Sequence, residues 1–376
     1  MLLSAALIVR DESLVLDDFL ASIRDVVDEI VVVDTGSVDS SREIAARYRA
    51  CLIEHPWNDD FAEARNVALD AAGGDWILYI DADERLGPTD RTSIEGLLID
   101  AREVAFRLLL RPDLRSTPYR EYRLWRNDPR IRFRGRIHEK VTPAIAQVSR
   151  AGGRPISDCD LLLTHVGYEG DQRHKHLRNL PLLQAELARD PDNLFNRHHL
   201  ARILEGLGDR EEAGKVLADA VDLARRRPSD PLGVLVFTDL VLVRRARGEH
   251  VAELLEEART RYPSNKYLWW VQATVDISDG LFPQALELLD QLVTLDMDTL
   301  PGEGPAYDQR IFGEFAQDAR GTCLFRLDRY AEAGEAYGAA SSLDPTNVAY
   351  RSKREVALGR ALRMSERSSD GRGTAD

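Results

Sequence analysis

The sequence has little cysteine and no long apolar run. Its 376 residues include only Cys51, Cys159 and Cys323, which are far apart and form no CxxC pair. Such a pattern supplies no disulfide framework and indicates a reducing compartment, so we expect a cytoplasmic protein. The apolar start, MLLSAALIV, lacks the basic region and cleavage site of a signal peptide and predicts a first strand. No stretch approaches the roughly 20 apolar residues of a membrane-spanning helix, so we expect no span.

Positive charge is also in short supply. Lys and Arg number 50 against 64 Asp and Glu, which gives a net charge of −14 at pH 7. This balance argues against broad binding to nucleic acid, whose backbone is itself anionic. A chain of 376 residues is long for one domain, so we expect two or more.

The N-terminal region alternates strand and helix patterns. Leu3–Val9 and the β-branched run Glu29–Asp34 predict strands, and a third strand starts at Trp76. Phe61–Ala72 predicts a helix that Gly73 and Gly74 end. This βαβαβ order implies a parallel sheet wrapped by helices. Further strand patterns follow, EVAFRLLL and RIRFRGRIHE, so we expect the sheet to become mixed.

The C-terminal half is helical and weakly repetitive. Gly208, Gly280 and Asp328 each stand five residues before an alanine, at Ala213, Ala285 and Ala333, and Ala252 marks a fourth copy. The spacing is near the tetratricopeptide period of about 34 residues, and a generic helical bundle is the alternative. The predicted layout is an α/β domain at 1–170, a linker helix at 171–192, tetratricopeptide-like repeats at 193–364 and a disordered tail at 365–376.

The segment DWILYIDADERL ends a predicted core strand with three acids, Asp81, Asp83 and Glu84. Asp34 ends a neighbouring predicted strand, and ligands bind at the carboxyl ends of strands in open α/β sheets. With alternating side chains, Asp81 and Asp83 would point the same way and present oxygen ligands to Mg²⁺ or Mn²⁺. A solvated turn is the alternative.

A run of arginines follows this region. Ten arginines lie between Arg107 and Arg136, against three acidic residues, in a chain that is acidic as a whole. Because arginine matches phosphate with two parallel hydrogen bonds, the run is suited to hold an anionic donor or acceptor. The alternative is a solvated strand face paired with acids from the helical domain.

Three blocks together carry a resemblance to a known family. LIVRDE, DEIVVVDTGSVDSSREIA and WNDDFAEARNVALDAAGGDWILYIDADERL resemble the family 2 glycosyltransferases of GT-A fold. The branch in question is soluble and includes lipopolysaccharide-core glucosyltransferases and glycocin peptide S-glycosyltransferases, several of which have tetratricopeptide-like tails. The resemblance implies a GT-A-like domain with a Rossmann-like mixed sheet, followed by an all-α repeat domain.

The resemblance also implies a donor site. Its residues are Arg10, Glu12, Asp34, Arg65, Asp81 and Ala82. Asp34 would accept hydrogen bonds from the nucleobase, or else cap the end of its strand. Arg65 would contact the diphosphate, or else hold Asp81 in place. Where the family often has Lys-Asn-Glu, this chain has Arg10, Asp11 and Glu12, and the added charge of Asp11 leaves the donor's identity open.

A metal site is implied beside the donor. Asp81 and Asp83 would bind Mn²⁺ or Mg²⁺, with Asp83 the surer ligand and Glu84 anchoring the next loop. His165, in the block THVGY, would be a third ligand or contact the diphosphate, and a core histidine is the alternative.

For catalysis, the resemblance places Glu139 as the base that takes the acceptor's proton, with His138 as the competing base. The alternative for His138 is a structural histidine stacked on Trp125. The neighbouring His198 and His199 are read as surface or helix residues.

The expected function is therefore transfer of a sugar from a nucleotide-sugar, typically a UDP-sugar, with inversion in a direct displacement. The acceptor is a peptide, a saccharide or a small natural product, and the repeats could dock it or form a homodimer. The alternative is a catalytically inactive scaffold that recruits partners. A nucleotidyltransferase is disfavoured, because no Gly-rich loop with a lysine follows the first strand.

Overall fold

A computed structural model describes residues 2–166, 173–295 and 306–370. The chain divides into two compact units, one that runs to Ala213 and one that begins at Gly214. The predicted fold class, an α/β domain with a mixed sheet followed by an all-α domain, is confirmed. The division falls later in the chain than the predicted border at residue 170.

The described part of the first unit contains one eight-stranded sheet, in the order β3-β2-β1-β4-β7-β6-β8-β5. Its strands are β1 (Leu3–Val9), β2 (Glu29–Asp34), β3 (Cys51–Glu54), β4 (Trp76–Tyr79), β5 (Glu84–Leu86), β6 (Ala105–Arg111), β7 (Tyr119–Arg126) and β8 (Ile156–His165). The first four in this order are parallel, and β4 pairs antiparallel with β7, so the sheet is mixed as predicted.

Helices cover both faces of the sheet. They are α1 (Ser13–Ile23), α2 (Ser41–Arg47), α3 (Phe61–Ala71), α4 (Arg91–Leu98), α5 (Thr142–Gly152), α6 (Arg173–Arg189) and α7 (Leu194–Leu207). The apolar run of β2 is buried on both faces: Val32 packs in the cluster that contains Phe19 of α1, and Val33 packs in the cluster that contains Leu69 of α3. Burial on both faces explains why β2 has no polar alternation.

The start of α3 matters for the site, because this helix carries Arg65. It begins at Phe61, where the side chain of Asp60 accepts a hydrogen bond from the backbone N–H of Glu63. This is the capping interaction that satisfies a free donor in the first helical turn. The predicted helix at Phe61–Ala72 is thus correct to within one residue.

The strand predicted from RIRFRGRIHE is wrong. Residues 131–140 form a loop that is closed by a single antiparallel bridge between Arg134 and Lys140. The side chain of Asn66 donates to the carbonyl of Phe133 at 3.0 Å and accepts from its N–H at 2.8 Å, so an amide side chain takes the place of a strand partner. Gly135 turns the chain at a φ of 104°. The inward positions are nevertheless buried as the pattern predicts, at Ile131, Phe133 and Ile137.

The second unit is built from helices. After α8 (Arg210–Arg226), which contains the division, they are α9 (Gly233–Ala246), α10 (Ala252–Arg261), α11 (Lys266–Ser278), α12 (Phe282–Leu292), α13 (Glu314–Arg326), α14 (Tyr330–Leu343) and α15 (Val348–Asp370), with a 3-10 turn at Gln309–Ile311. Consecutive helices pack as pairs, α9 with α10, α11 with α12 and α13 with α14. None of the described helices is both long and apolar enough to cross a bilayer.

The repeat markers occupy a shared structural position. Gly208, Gly280 and Asp328 have positive φ and join successive helices, and Gly248 does the same between α9 and α10. The alanines five residues after the three predicted markers are fully buried, at Ala213, Ala285 and Ala333. Ala252 is exposed, so it does not mark the fourth copy as predicted. Helix α15 includes residues 365–370 of the predicted disordered tail, and residues 371–376 lie outside the described part.

Candidate functional site

The site lies where the parallel strands end. Val9 of β1 pairs with Asp34 of β2, and β1 also pairs with β4, so the loops that follow these three strands share one edge. Those loops carry the predicted donor residues that precede α3, together with the acidic turn after β4.

Asp34 is buried and serves the loop that follows it. Its carboxylate accepts hydrogen bonds from the N–H groups of Gly36 at 3.2 Å and Ser37 at 3.1 Å. The guanidinium of Arg42 is 4.0 Å away. These contacts are those of the strand-end cap, and contact with a nucleobase stays a prediction.

The loop after β1 is tied to the loop after β2. Asp11 adopts a φ of 56°, and its carboxylate accepts from the N–H of Val38 at 2.7 Å. The N–H of Glu12 donates to Ser41 Oγ at 2.9 Å, and Arg10 is exposed. Burial, followed by the charge of Asp83, raises the pKa of Glu12 to about 7. Glu12 therefore adds a carboxyl group near the acidic turn.

Asp81 and Asp83 do not share a partner, because β4 ends at Tyr79 and the residues after it turn. Asp81 binds Arg65 at 2.8 Å and lies 3.7 Å from the guanidinium of Arg123. Burial raises the pKa of Asp81, but the charge of Arg65, followed by that of Arg123, lowers it. The net effect is a lowered pKa. Arg65 makes the contact that the second of its two predicted roles requires, and contact with the diphosphate stays a prediction.

Two buried arginines connect the acids of this edge. Arg65 also binds Glu139, and Arg123 binds Glu84 at 2.8 Å. We call Arg65, Arg123, Asp81, Glu84 and Glu139 the buried arginine network. Glu84 accepts from the N–H of Asp81 at 2.9 Å, so it holds the acidic turn that precedes it, and the predicted anchoring of the next loop stays a prediction. Burial raises the pKa of Glu84 to about 7, against the charge of Arg123.

Asp83 faces a different partner, since its carboxylate lies 2.9 Å from Nε2 of His165 at the end of β8. The side chains are 26% and 39% exposed, so both are open to solvent, while Ala82 between the two aspartates is buried. The hydrogen bond to Asp83 raises the pKa of His165, against the effect of burial. Within the described residues, no three His, Cys, Asp or Glu side chains are grouped to hold a metal ion. A carboxylate and an imidazole are nevertheless suitable partial ligands for Mn²⁺.

A cavity of about 630 Å³ opens beside Glu139. Its lining residues are Phe61, Arg65, Tyr79, Glu121, Ile137, His138, Glu139, Lys140, Thr142, Pro143, Asn179 and Phe195. The Glu139 side chain is only 9% exposed and is held by Arg65, whose guanidinium lies 4.5 Å from the centre of the Tyr79 ring. A carboxylate at the wall of an open cavity is positioned to accept a proton from a bound molecule.

His138 lines the same cavity but packs among rings. Its imidazole lies 4.0 Å from that of His199 and 5.2 Å from the ring of Phe195, between centroids, both on α7. Burial, followed by the charge of Lys140, lowers the pKa of His138 to about 4, so it is a weak base. The predicted stacking on Trp125 is wrong, since Trp125 packs on Tyr79 and Phe133. His198 and His199 lie on α7, in agreement with the second of the predicted alternatives, surface or helix, and the side chain of His198 is buried.

Much of the arginine run is internally paired. Arg107 binds Asp158 at 2.7 Å, Arg120 binds Asp160 at 2.9 Å and Arg132 binds Asp70 at 2.6 Å. The predicted pairing with acids of the helical domain is wrong for these three, because their partners belong to the first unit. A paired arginine is less available to a ligand than a free one.

Sequence reasoning missed Arg123, Tyr79, Asn179 and Phe195. Arg123 is one of three arginines in YREYRLWR, and the sequence holds no signal that separates this buried member from the partly buried Arg120 and Arg126. Asn179 and Phe195 lie on α6 and α7, which the pattern assigned to a linker and to the first repeat. Arg123 would have been identified only if the pairing of β4 with β7 had been known, and the sequence pattern does not give that pairing.

Comparison with known proteins identifies one domain. Residues 4–141 match the family described as "Glycosyl transferase family 2". A TPR repeat-containing protein of Synechococcus elongatus is 35% identical over 267 residues, which cover 69% of this chain and 64% of that protein. The SPbeta prophage-derived glycosyltransferase SunS of Bacillus subtilis (strain 168) is 25% identical over 279 residues, covering 69% of this chain and 63% of SunS. The chain thus spans less than two thirds of the length of either relative.

Among solved structures, Staphylococcus aureus TarS 1–349 is 17% identical, with a TM-score of 0.36. The aligned region covers 70% of this chain and 92% of TarS 1–349. A glucosyl-3-phosphoglycerate synthase from Mycobacterium tuberculosis, solved with Mn²⁺, UDP and glucosyl-3-phosphoglycerate, is 17% identical, with a TM-score of 0.37, and covers 50% of this chain and 79% of that one.

Proposed function

We propose that this chain, whose residues 4–141 form a glycosyl transferase family 2 domain, moves a sugar from a nucleotide-sugar to an acceptor with the help of a divalent cation. Within this class of donors, we propose a UDP-sugar. The observation that carries the proposal is the arrangement at the carboxyl edge of the sheet. There the half-exposed pair Asp83–His165 and the cavity beside Glu139 flank one buried arginine network.

Asp83 and His165 are the residues proposed to hold the cation, Mn²⁺ or Mg²⁺. Both are partly exposed, and their direct contact at 2.9 Å, which brings the two groups side by side, supports this assignment. Imidazole favours Mn²⁺ over Mg²⁺. When bound, the cation neutralises negative charge on the diphosphate leaving group. Two protein ligands leave positions open for phosphate oxygens and water.

Asp81 supports this site through Arg65 in our proposal. With its carboxylate 2.8 Å from Arg65, Asp81 is already neutralised, so it is a poorer cation ligand than Asp83. Asp81 and Glu139 hold Arg65 between them, and Arg65 thereby links the donor side of the edge to the cavity. The other predicted donor contacts, at Arg10, Glu12, Asp34 and Ala82, remain part of the proposal.

The proposed reaction is a single displacement with inversion. The acceptor's hydroxyl or thiol attacks the anomeric carbon of the sugar, and the bond from that carbon to the diphosphate oxygen breaks, with its electron pair leaving on the nucleoside diphosphate. Glu139 takes the acceptor's proton, which is general-base catalysis. His138 is the weaker candidate, because its pKa is lowered to about 4, chiefly by burial.

Calorimetric titration with UDP-glucose, UDP-GlcNAc, a GDP-sugar and a dTDP-sugar, each with and without Mn²⁺, tests this function. The proposal predicts that one donor binds only when the cation is present. The protein then slowly transfers the sugar of that donor to water, which leaves free nucleoside diphosphate. Absence of binding by every donor, with the protein folded, would overturn the proposal in favour of a non-catalytic scaffold.

A further inference from the structure

The loop that carries Glu139 bears two cations on one of its faces. Arg134 and Lys140 exchange both backbone hydrogen bonds, at 3.1 Å and 2.9 Å, and so form an antiparallel bridge. In such a pair the two side chains lie on the same face, with Cβ atoms about 5 Å apart. Like charges placed directly opposite each other destabilise the pairing, so this arrangement is costly unless something offsets it.

No acid among the described residues pairs with these charges. Neither side chain forms an ion pair with any acidic group in the described residues 2–166, 173–295 and 306–370. Nearby Arg130 and Arg132 differ, since each binds an aspartate at 2.6 Å. Lys140 has an aromatic neighbour, the ring of Phe195, with Nζ 5.2 Å from its centroid, which is a weaker interaction than an ion pair.

The position of Lys140 relates the pair to the cavity, because Lys140 is one of the lining residues and Arg134 is its bridge partner. Lys140 lines the cavity of about 630 Å³ and is exposed, so its ammonium lies where the cavity meets solvent. The acids of the same cavity, Glu121 and Glu139, each contact a buried arginine instead, Arg123 at 3.2 Å and Arg65 respectively. The acids of the cavity are thus already paired with arginines, whereas Lys140 forms no ion pair with a described residue.

We propose that Arg134 and Lys140 bind an anionic group of the acceptor, a phosphate or a carboxylate, and so make the enzyme select acidic acceptors. This inference rests on the proposed function, because it names the class of acceptor for the same site. An anionic group held by this pair stays at the mouth of the cavity, and the neutral hydroxyl or thiol of the same acceptor reaches Glu139. The two cations therefore set both the selection of the acceptor and its orientation.

The test compares three small probes, glycerol 1-phosphate, lactate and glycerol, by calorimetric titration and saturation-transfer NMR without nucleotide or metal. The wild-type protein should bind one of the two anions at least about tenfold more tightly than glycerol, and the anion that binds distinguishes phosphate from carboxylate. The double variant Arg134→Gln/Lys140→Gln should lose that preference, while Arg130→Gln/Arg132→Gln should keep it. The single variant Lys140→Gln, at an exposed position, repeats the test should the double variant fold poorly.

Affinity for UDP with Mn²⁺ is measured on the same proteins. It should be equal in the wild type and the double variant, since the pair serves the acceptor. An anion preference that survives in the double variant would overturn the proposal, and so would a large loss of UDP affinity, which would assign the pair to the donor. A wild-type protein that binds the anion but no nucleotide-sugar would refute the proposed function separately.

Discussion

Two aspartates separated by one residue belong to different regions of the site. Arg65 and Arg123 neutralise Asp81 in the buried arginine network, whereas Asp83 contacts His165 at 2.9 Å. The two carboxylates are similarly exposed, at 28% and 26%, and differ in their partners: the arginines are 11% and 6% exposed and the histidine 39%. A buried ion pair is costly to break, so Asp81 is fixed in place. An exposed pair contributes little stability and can exchange its partner for a ligand. The comparison separates two roles within the proposed function: the buried network positions groups, and the Asp83–His165 pair is the part proposed to bind the cation.

Removing the central cation of the buried network should have the largest effect. Arg65→Met leaves Asp81 and Glu139 without their shared partner, and we expect a loss of about 3–5 kcal/mol in the free energy of unfolding. Urea unfolding measures it. Arg132→Met, which removes a surface pair with Asp70, is the control and should cost at most about 1 kcal/mol. Equal losses in the two variants would mean that the network is no more than a set of surface pairs.

Changing the base should affect turnover without affecting the fold. In Glu139→Gln the amide keeps the shape of the carboxylate but cannot take a proton, so donor turnover should fall about 10²- to 10⁴-fold with nucleotide affinity retained. Release of UDP from the donor, with water as acceptor, gives the readout. Glu121→Gln, in the same cavity, is the control and should keep most of the activity. Full turnover in the Glu139 variant would move the base to another residue.

Removing the charge of Asp83 from the Asp83–His165 pair should weaken binding and leave the stability of the protein unchanged. We expect Asp83→Asn to weaken Mn²⁺-dependent binding of UDP by at least about tenfold, because a neutral amide is a poorer cation ligand, and to leave the melting temperature almost unchanged. Titration calorimetry and a thermal melt measure the two properties. Asp70→Asn, on the surface of α3, is the matched control. If Asp83→Asn unfolded the protein, the division between positioning and binding would fail.

The contrast between a buried group and a partly exposed one also applies to two histidines, His138 and His165. Burial lowers the pKa of His138 to about 4, while the hydrogen bond with Asp83 raises that of His165. Because the folded-state pKa of His138 lies below the unfolded value of about 6.5, the unfolded chain binds more protons between these values. Stability contributed by the neutral ring is therefore present above about pH 6.5 and falls as the pH drops towards 4.

The histidine stack on α7 should account for part of this acid sensitivity. His199 also has a lowered pKa, chiefly through burial, and we expect His199→Phe to reduce the loss of stability between pH 7 and pH 5 by about 1 kcal/mol. Urea unfolding at the two pH values measures it, with the exposed His174→Gln as control. An unchanged pH dependence in His199→Phe would show that the stack does not exclude protons.

The sequence predicted the sheet better than it predicted the site. Strands β1 and β2 were predicted at their observed bounds, since a run of β-branched residues has few other stable conformations. The strand at RIRFRGRIHE failed because burial alternates there without a neighbouring strand, and Asn66 supplies the hydrogen bonds instead. Periodicity reports which side chains are buried and carries no information about hydrogen-bond partners.

The candidate residues were found, but their pairings were not. Alternation along a strand predicted that Asp81 and Asp83 would act together, and the turn after Tyr79 separates them. The partners of Asp81, Arg65 and Arg123, lie 16 and 42 positions away along the sequence, and His165, the partner of Asp83, lies 82 positions away. Contacts at such separations depend on the order of strands in the sheet, which local patterns do not specify.

The most direct test of the account is the position of a cation in crystals grown with Mn²⁺ and UDP. We predict an anomalous-scattering peak within bonding distance of both the Asp83 carboxylate and the His165 imidazole, with Asp81 still bound to Arg65. A peak on Asp81 with Arg65 displaced, or UDP bound with no cation near Asp83, would contradict the division between a buried region that positions and an exposed pair that binds.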